Sequence, residues 1–268
     1  IFSFQVLSLS CSSQMISDET DWNQWRGPDR SGTWYNGPNI DTLTDQRVEH
    51  IWESPVGPGY SGPTIAKGKV YVMDYKDGQE RILCFNAENG MLIWEHRYKS
   101  EYFMGYPTGP RASVLVDGDK IYSLGAMGHI FCLEANNGNV NWMHNAVEEY
   151  NSRIPTWGLA SSPIIVGDII IFQIGGTPNA CLVAFDKYTG EEAWRALEDE
   201  ASYSAPVLIN QAGKRVLIYW TGDRICGLDP ANGHIYWTIP FEPQRMIMNI
   251  ADPVYDPPYL FLSAFFDG

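Results

Sequence analysis

Five side chains form the set that could do chemistry. Tyr60, Arg111, Trp157, Tyr203 and Asn249 fall at or just before a tetrapeptide that recurs along the chain. Its copies are Tyr60-Ser61-Gly62-Pro63, Arg111-Ala112-Ser113-Val114, Ala160-Ser161-Ser162-Pro163, Tyr203-Ser204-Ala205-Pro206 and Ile250-Ala251-Asp252-Pro253. Brought together, such residues suit a flat or anionic ligand, because Arg offers a planar donor fork and Trp a stacking face. This is binding chemistry, and no catalytic residue is assigned. The five histidines (His50, His96, His129, His144 and His234) show no ligand spacing, and no metal residue is assigned either. Asp117-Gly118-Asp119 and Asp77-Gly78 lack the loop that follows in a calcium-binding hand, so turn chemistry explains them. Ser61, Ser161, Ser162 and Ser204 have no Gly-x-Ser-x-Gly setting, and no helix pattern follows Gly175-Gly176.

Something must bring residues so far apart in sequence to one place, and an internal repeat supplies it. Gly90 is followed four residues later by Trp94, Gly138 by Trp142, Gly190 by Trp194 and Gly233 by Trp237. Four residues before each glycine stands Asn86, Glu134, Asp186 or Asp229. The tryptophans are 48, 52 and 43 residues apart, a period that marks an architecture built from one supersecondary unit. Each copy reads as strand, tight turn, strand. The Asp or Asn folds onto backbone N–H groups, the glycine supplies a positive φ, and the Trp lies on the outgoing strand. Burying one such indole contributes roughly 4–6 kcal/mol gross at ~25 cal/mol per Å².

The pattern Ala-x-Asp-x-x-Thr-Gly-x-x-x-Trp, complete at Ala184–Trp194, resembles the tryptophan-docking motif of pyrroloquinoline-quinone-type (PQQ-like) β-propeller repeats. The resemblance covers roughly residues 45–268; the other copies are looser, with Cys84, Cys132 and Gly227 at the Ala184 position. It implies an all-β fold, a propeller of four-stranded antiparallel blades. The blades are expected at about 63–98, 111–146, 160–197 and 204–240, with an incomplete fifth at 251–268. Four and a half blades are expected to be part of a ring of seven or eight, which at this period needs roughly 100–150 further residues. In such a ring the first strand of each blade lines a central channel, so the five residues above would meet at its mouth. Val48-Glu49-His50-Ile51-Trp52-Glu53 reads as a lone outer strand that closes the ring.

The resemblance carries two expectations about function. Quinoprotein dehydrogenases of this superfamily hold PQQ over the channel with a Trp beneath and an Arg nearby, bind Ca²⁺ through Glu, Asn and Asp, and often stack a vicinal disulfide on the cofactor. This sequence has no adjacent cysteines and no Glu, Asn and Asp set on those positions. The outer-membrane lipoprotein that assists β-barrel insertion has the same fold without that machinery, and in this respect the chain looks like that class. A non-catalytic binding or assembly scaffold is therefore the expectation, with a PQQ- and Ca-dependent dehydrogenase or a carbohydrate-binding module as alternatives. The ligand at the mouth would be a protein partner or a small molecule or sugar.

The 268 residues carry a net charge of −14, which argues against nucleic acid and against anionic membrane surfaces. No segment reaches the ~18 apolar residues of a membrane span. Ile1–Ser10 followed by Cys11 reads as a signal-peptide remnant, making the protein secreted or periplasmic, with lipidation of Cys11 as the anchored alternative. Residues 1–20 form this remnant and a linker. Residues 21–47, opening with Trp22-Asn23-Gln24-Trp25-Arg26-Gly27-Pro28, form a segment expected to pack across the propeller, which occupies 48–268. The segment resembles the opening of secreted planctomycete-type PQQ-like proteins. Cys84, Cys132, Cys181 and Cys226 follow the repeat and read as small buried hydrophobes.

Overall fold

The computed structural model describes residues 21–34, 50–102, 108–241 and 246–264. Cys11 and the expected signal and linker lie outside them. Four antiparallel four-stranded sheets follow one another along the chain. They are β1–β4 (Thr64–Ala66, Lys69–Lys76, Gln79–Asn86, Leu92–Lys99), β5–β8 (Leu115–Asp117, Lys120–Leu124, His129–Glu134, Val140–Asn145), β9–β12 (Ile164–Val166, Ile169–Gly176, Ala180–Asp186, Glu192–Ala196) and β13–β16 (Val207–Gln211, Lys214–Trp220, Arg224–Leu228, Ile235–Pro240). A two-stranded hairpin, β17 (Val254–Asp256) and β18 (Tyr259–Phe261), comes next. These are propeller blades in sequence order.

The period of two along each strand explains how the blades stack. On β10, Ile170, Phe172 and Ile174 pack with Tyr122, Ile130 and Trp142 of the preceding blade. Ile171, between them, packs with Leu217 and Tyr219 of the following one. Side chains on alternate faces thus feed two separate cores, as a sheet buried on both sides requires.

Three of the four outgoing tryptophans lock this stacking, while Trp237 Nε1 donates to Gln211 within its own blade. Trp94 Nε1 donates to the Ala135 carbonyl, Trp142 Nε1 to Lys187 and Trp194 Nε1 to Pro230, each at 3.1 Å and each in the next blade. The acceptor is always the residue after the polar residue that opens the turn. Within its own blade each Trp faces a small residue across the ladder: Cys84, Cys132, Ala184 or Gly227. The register shifts by one residue just past each of these pairs. Burial raises the pKa of Cys84 and Cys132 to about 11 and that of Cys226 to about 12, so these thiols stay protonated and inert.

Two expectations are corrected. No strand forms over the described residues 50–53. Trp52 instead donates to the Ala87 carbonyl at 2.9 Å, the same contact that the three repeat tryptophans make. A short helix, α1 (Ala146–Tyr150), follows β8 although no helical period is visible. Its N-cap Asn145 accepts from Val147 N and Glu148 N, and Glu149 accepts from Asn145 N, so capping rather than amphipathicity makes the turn.

Residues 21–34 lie against the first strands. Trp22 pairs with Ile65 of β1, and Asn23 both donates to and accepts from Val116 of β5. Arg30 donates to the carbonyls of Ser162 and Pro163 just before β9, and Trp25 Nε1 donates to Asp252 just before β17 at 2.6 Å.

Candidate functional site

The tetrapeptides that precede β1, β5, β9, β13 and β17 turn out to be interlocked. Ser113 N donates to Ser162 Oγ at 3.0 Å and Ala205 N to Asp252 Oδ1 at 2.7 Å, each reaching into the next blade. Thr64 Oγ1 donates to the Val114 carbonyl in the same sense. Third positions of the tetrapeptide thus face inward and bind neighbouring blades. First positions face outward and ring one cavity of about 280 Å³: Tyr60, Arg111, Ala160, Tyr203 and Ile250, joined by Trp157.

Four of the five residues singled out from the sequence therefore line one site. Asn249 does not. It is buried, its amide donates to the Thr221 carbonyl at 2.8 Å and its own carbonyl accepts from Tyr203 N. The tetrapeptide alignment puts Ile250, not Asn249, at the first position, and its side chain is the one that reaches the cavity. Ala160 was likewise legible in that alignment.

The cavity is aromatic and apolar with a single cation. The Arg111 guanidinium lies 5.1 Å from the ring centroid of Tyr60 and 5.8 Å from that of Tyr102, close enough for cation–π attraction to both. It also donates to the Gly109 carbonyl. Trp157 and Tyr203 meet at 5.6 Å with tilted rings, and Trp157 N donates to the Tyr203 hydroxyl oxygen. Burial raises the pKa of Tyr203, so its hydroxyl stays neutral.

Behind the cavity stands a group that sequence reasoning missed. Glu80, on β3, is fully buried and accepts from the hydroxyls of Tyr98 and Tyr102 and from Ala126 N. Glu80 thereby holds Tyr102 against Arg111 without touching the cavity. Nothing in the local sequence marks a glutamate at a core-facing strand position as anything but a surface residue.

A quinone held with calcium needs a stacking face, a donor fork and carboxylate ligands. Trp157 and Arg111 offer a stacking face and a donor fork. Yet no carboxylate lines the cavity, and among the described residues no three His, Cys, Asp or Glu side chains come together as a metal site. The described residues do not fit a calcium–quinone pair. Nor is any helix among them long and apolar enough to cross a membrane.

Comparison with known proteins gives the fold and the family. No curated protein sequence matches. The crystal structure of BamB from Moraxella catarrhalis aligns with a TM-score of 0.50 at 17% identity, over 72% of this chain and 51% of that one. A europium-containing methanol dehydrogenase aligns with a TM-score of 0.52 at 14% identity, over 71% of this chain and 45% of that one. The chain thus spans about half the length of the solved propellers it matches, and at such identities the likeness is one of fold. A family model described as "Outer membrane protein assembly factor BamB" matches residues 40–177 and 84–265. Since those two matches span nearly every blade described above, the chain belongs to that PQQ-like β-propeller family.

Proposed function

We propose that this protein is an exported, non-catalytic binding scaffold whose recognition surface is the channel mouth. The observation that carries the reading is the cavity itself. Residues from five successive blades and one connecting loop meet there, and they offer stacking faces and a guanidinium but no carboxylate to act as a base. Membership of a family described by an assembly factor supports a protein partner. On this reading the scaffold works outside the cytoplasm, with Cys11 as its candidate anchor.

The rival is a quinone-dependent dehydrogenase. The two are separated by supplying PQQ and Ca²⁺ with a panel of alcohols and sugars and an artificial electron acceptor. The scaffold reading expects neither dye reduction nor a red-shifted quinone absorbance. Turnover that disappears in Trp157→Ala would overturn it.

A further inference from the structure

The mouth cavity has a neighbour that shares part of its wall. Tyr203 lines the mouth and also lines this second cavity of about 380 Å³, and the loop that places Trp157 in the first runs as Arg153–Thr156 along the second. The two cavities differ in chemistry. At the mouth, Trp157, Tyr203 and Ile250 surround space reached by one guanidinium. In the second cavity Arg153, Thr156 and Glu200 alternate with Met246 and Ile247.

Three classes of occupant can be compared against this shape. A small flat anion would fill the mouth and leave the second cavity unused. A sugar could stack on the indole but needs several polar partners, and the mouth exposes almost no polar surface. A polypeptide offers an apolar side chain, a carboxylate and a row of amides together, matching an apolar cavity beside a mixed one. Charge narrows the choice further. In a chain of net charge −14, the charged lining of the two cavities is Arg111, Arg153 and Glu200, a small positive excess, and Arg111 offers a complementary charge to an acidic residue on a partner.

We infer that the two cavities together take an extended segment of a partner polypeptide, seating an aromatic or branched apolar side chain in the mouth with an adjacent carboxylate on Arg111. The inference rests on the scaffold reading and narrows it to a ligand class. Arg111 is the specificity-determining residue, and Met246 and Ile247 define the extension that a small ligand would not reach.

The test titrates the full chain with the blocked hexapeptide acetyl-Gly-Trp-Asp-Gly-Ser-Gly-amide, its Trp→Ala and Asp→Asn counterparts, and indole-3-acetate. Binding is read by calorimetry and by chemical-shift changes. The Trp-Asp peptide is expected to bind, with a loss of about tenfold or more for either counterpart. Arg111→Gln should erase the preference for Asp over Asn. Met246→Asp should weaken the hexapeptide and leave indole-3-acetate unaffected, while Lys214→Ala, outside both cavities, should change nothing. Should Arg111→Gln fail to fold, salt takes its place: raising it should weaken the Trp-Asp peptide and spare the Trp-Asn one. Absence of peptide binding overturns the inference. So does equal affinity for indole-3-acetate together with indifference to Met246→Asp, which would mark a small-anion site. Either result with no dye-linked turnover leaves the scaffold reading standing, whereas turnover with PQQ and Ca²⁺ removes both.

Discussion

The indole of Trp94 lies flat against the backbone of Gly138 in the next blade while its N–H reaches the Ala135 carbonyl three residues earlier. A side chain on Gly138 would stand 2.6 Å from Trp94 Cε3. The same relation ties Trp52 to Gly90, Trp142 to Gly190 and Trp194 to Gly233. Each glycine therefore answers two demands at once: a left-handed backbone and room for the indole of the blade before.

These two demands can be separated by experiment. Gly118 also has a positive φ (63°), but nothing lies within 4 Å of where its Cβ would be. Gly118→Ala should cost only the left-handed strain of about 1–2 kcal/mol. Gly138→Ala adds overpacking against the indole and should reach about 2–5 kcal/mol in urea unfolding. Equal losses at the two sites would show that the indole moves aside freely.

How much of this could be read in the sequence depends on what each signal reports. Blades and Trp positions were legible because an Asp, a Gly and a Trp at fixed spacing are local features. The second role of the glycines was not, since it depends on a residue some forty positions earlier. Trp52 escaped for the opposite reason. It keeps the period, standing 42 residues before Trp94, but Val48 occupies the place where a glycine would have flagged it. Three cavity residues, Tyr60, Arg111 and Tyr203, followed from an alignment of tetrapeptides, Trp157 stands three residues before one such tetrapeptide, and Asn249 was a slip of one residue within the alignment. Glu80 and Tyr102 could not be found this way, because a buried carboxylate held by two phenols has no sequence signature.

Arg30 anchors the N-terminal segment and gives a second prediction. Burial lowers its pKa to about 10, yet it remains charged at neutral pH and donates to the carbonyls of Ser162 and Pro163 and to the Gln24 side chain. Arg30→Ala leaves those buried acceptors without a donor and a void beside them, for an expected loss of about 2–4 kcal/mol. Limited proteolysis should then cut residues 21–34 first. Unchanged stability together with unchanged protection would mean that the segment holds its place through Trp22 and Asn23 alone.

Acid should loosen the contact between the first two blades before it titrates the carboxylates. His96 and His129 flank the Tyr98 ring at 6.1 and 5.0 Å, and among the described residues His96 Nε2 and His129 Nδ1 are buried without a hydrogen-bond partner. Burial lowers both pKa values below 6.5; for His129 the smaller pull of Glu80 and Glu148 opposes this. A histidine with a depressed folded pKa binds more protons when unfolded, so its stabilisation is complete above the unfolded value and is lost as pH falls through the folded one. The window thus opens near pH 6.5 and runs down to the folded-state values, which burial sets lower. Thermal unfolding followed between those limits should show a falling Tm, and the His96→Gln, His129→Gln double variant should flatten that slope while leaving the steeper fall at lower pH. A slope that survives the double substitution would move the acid sensitivity to another interface.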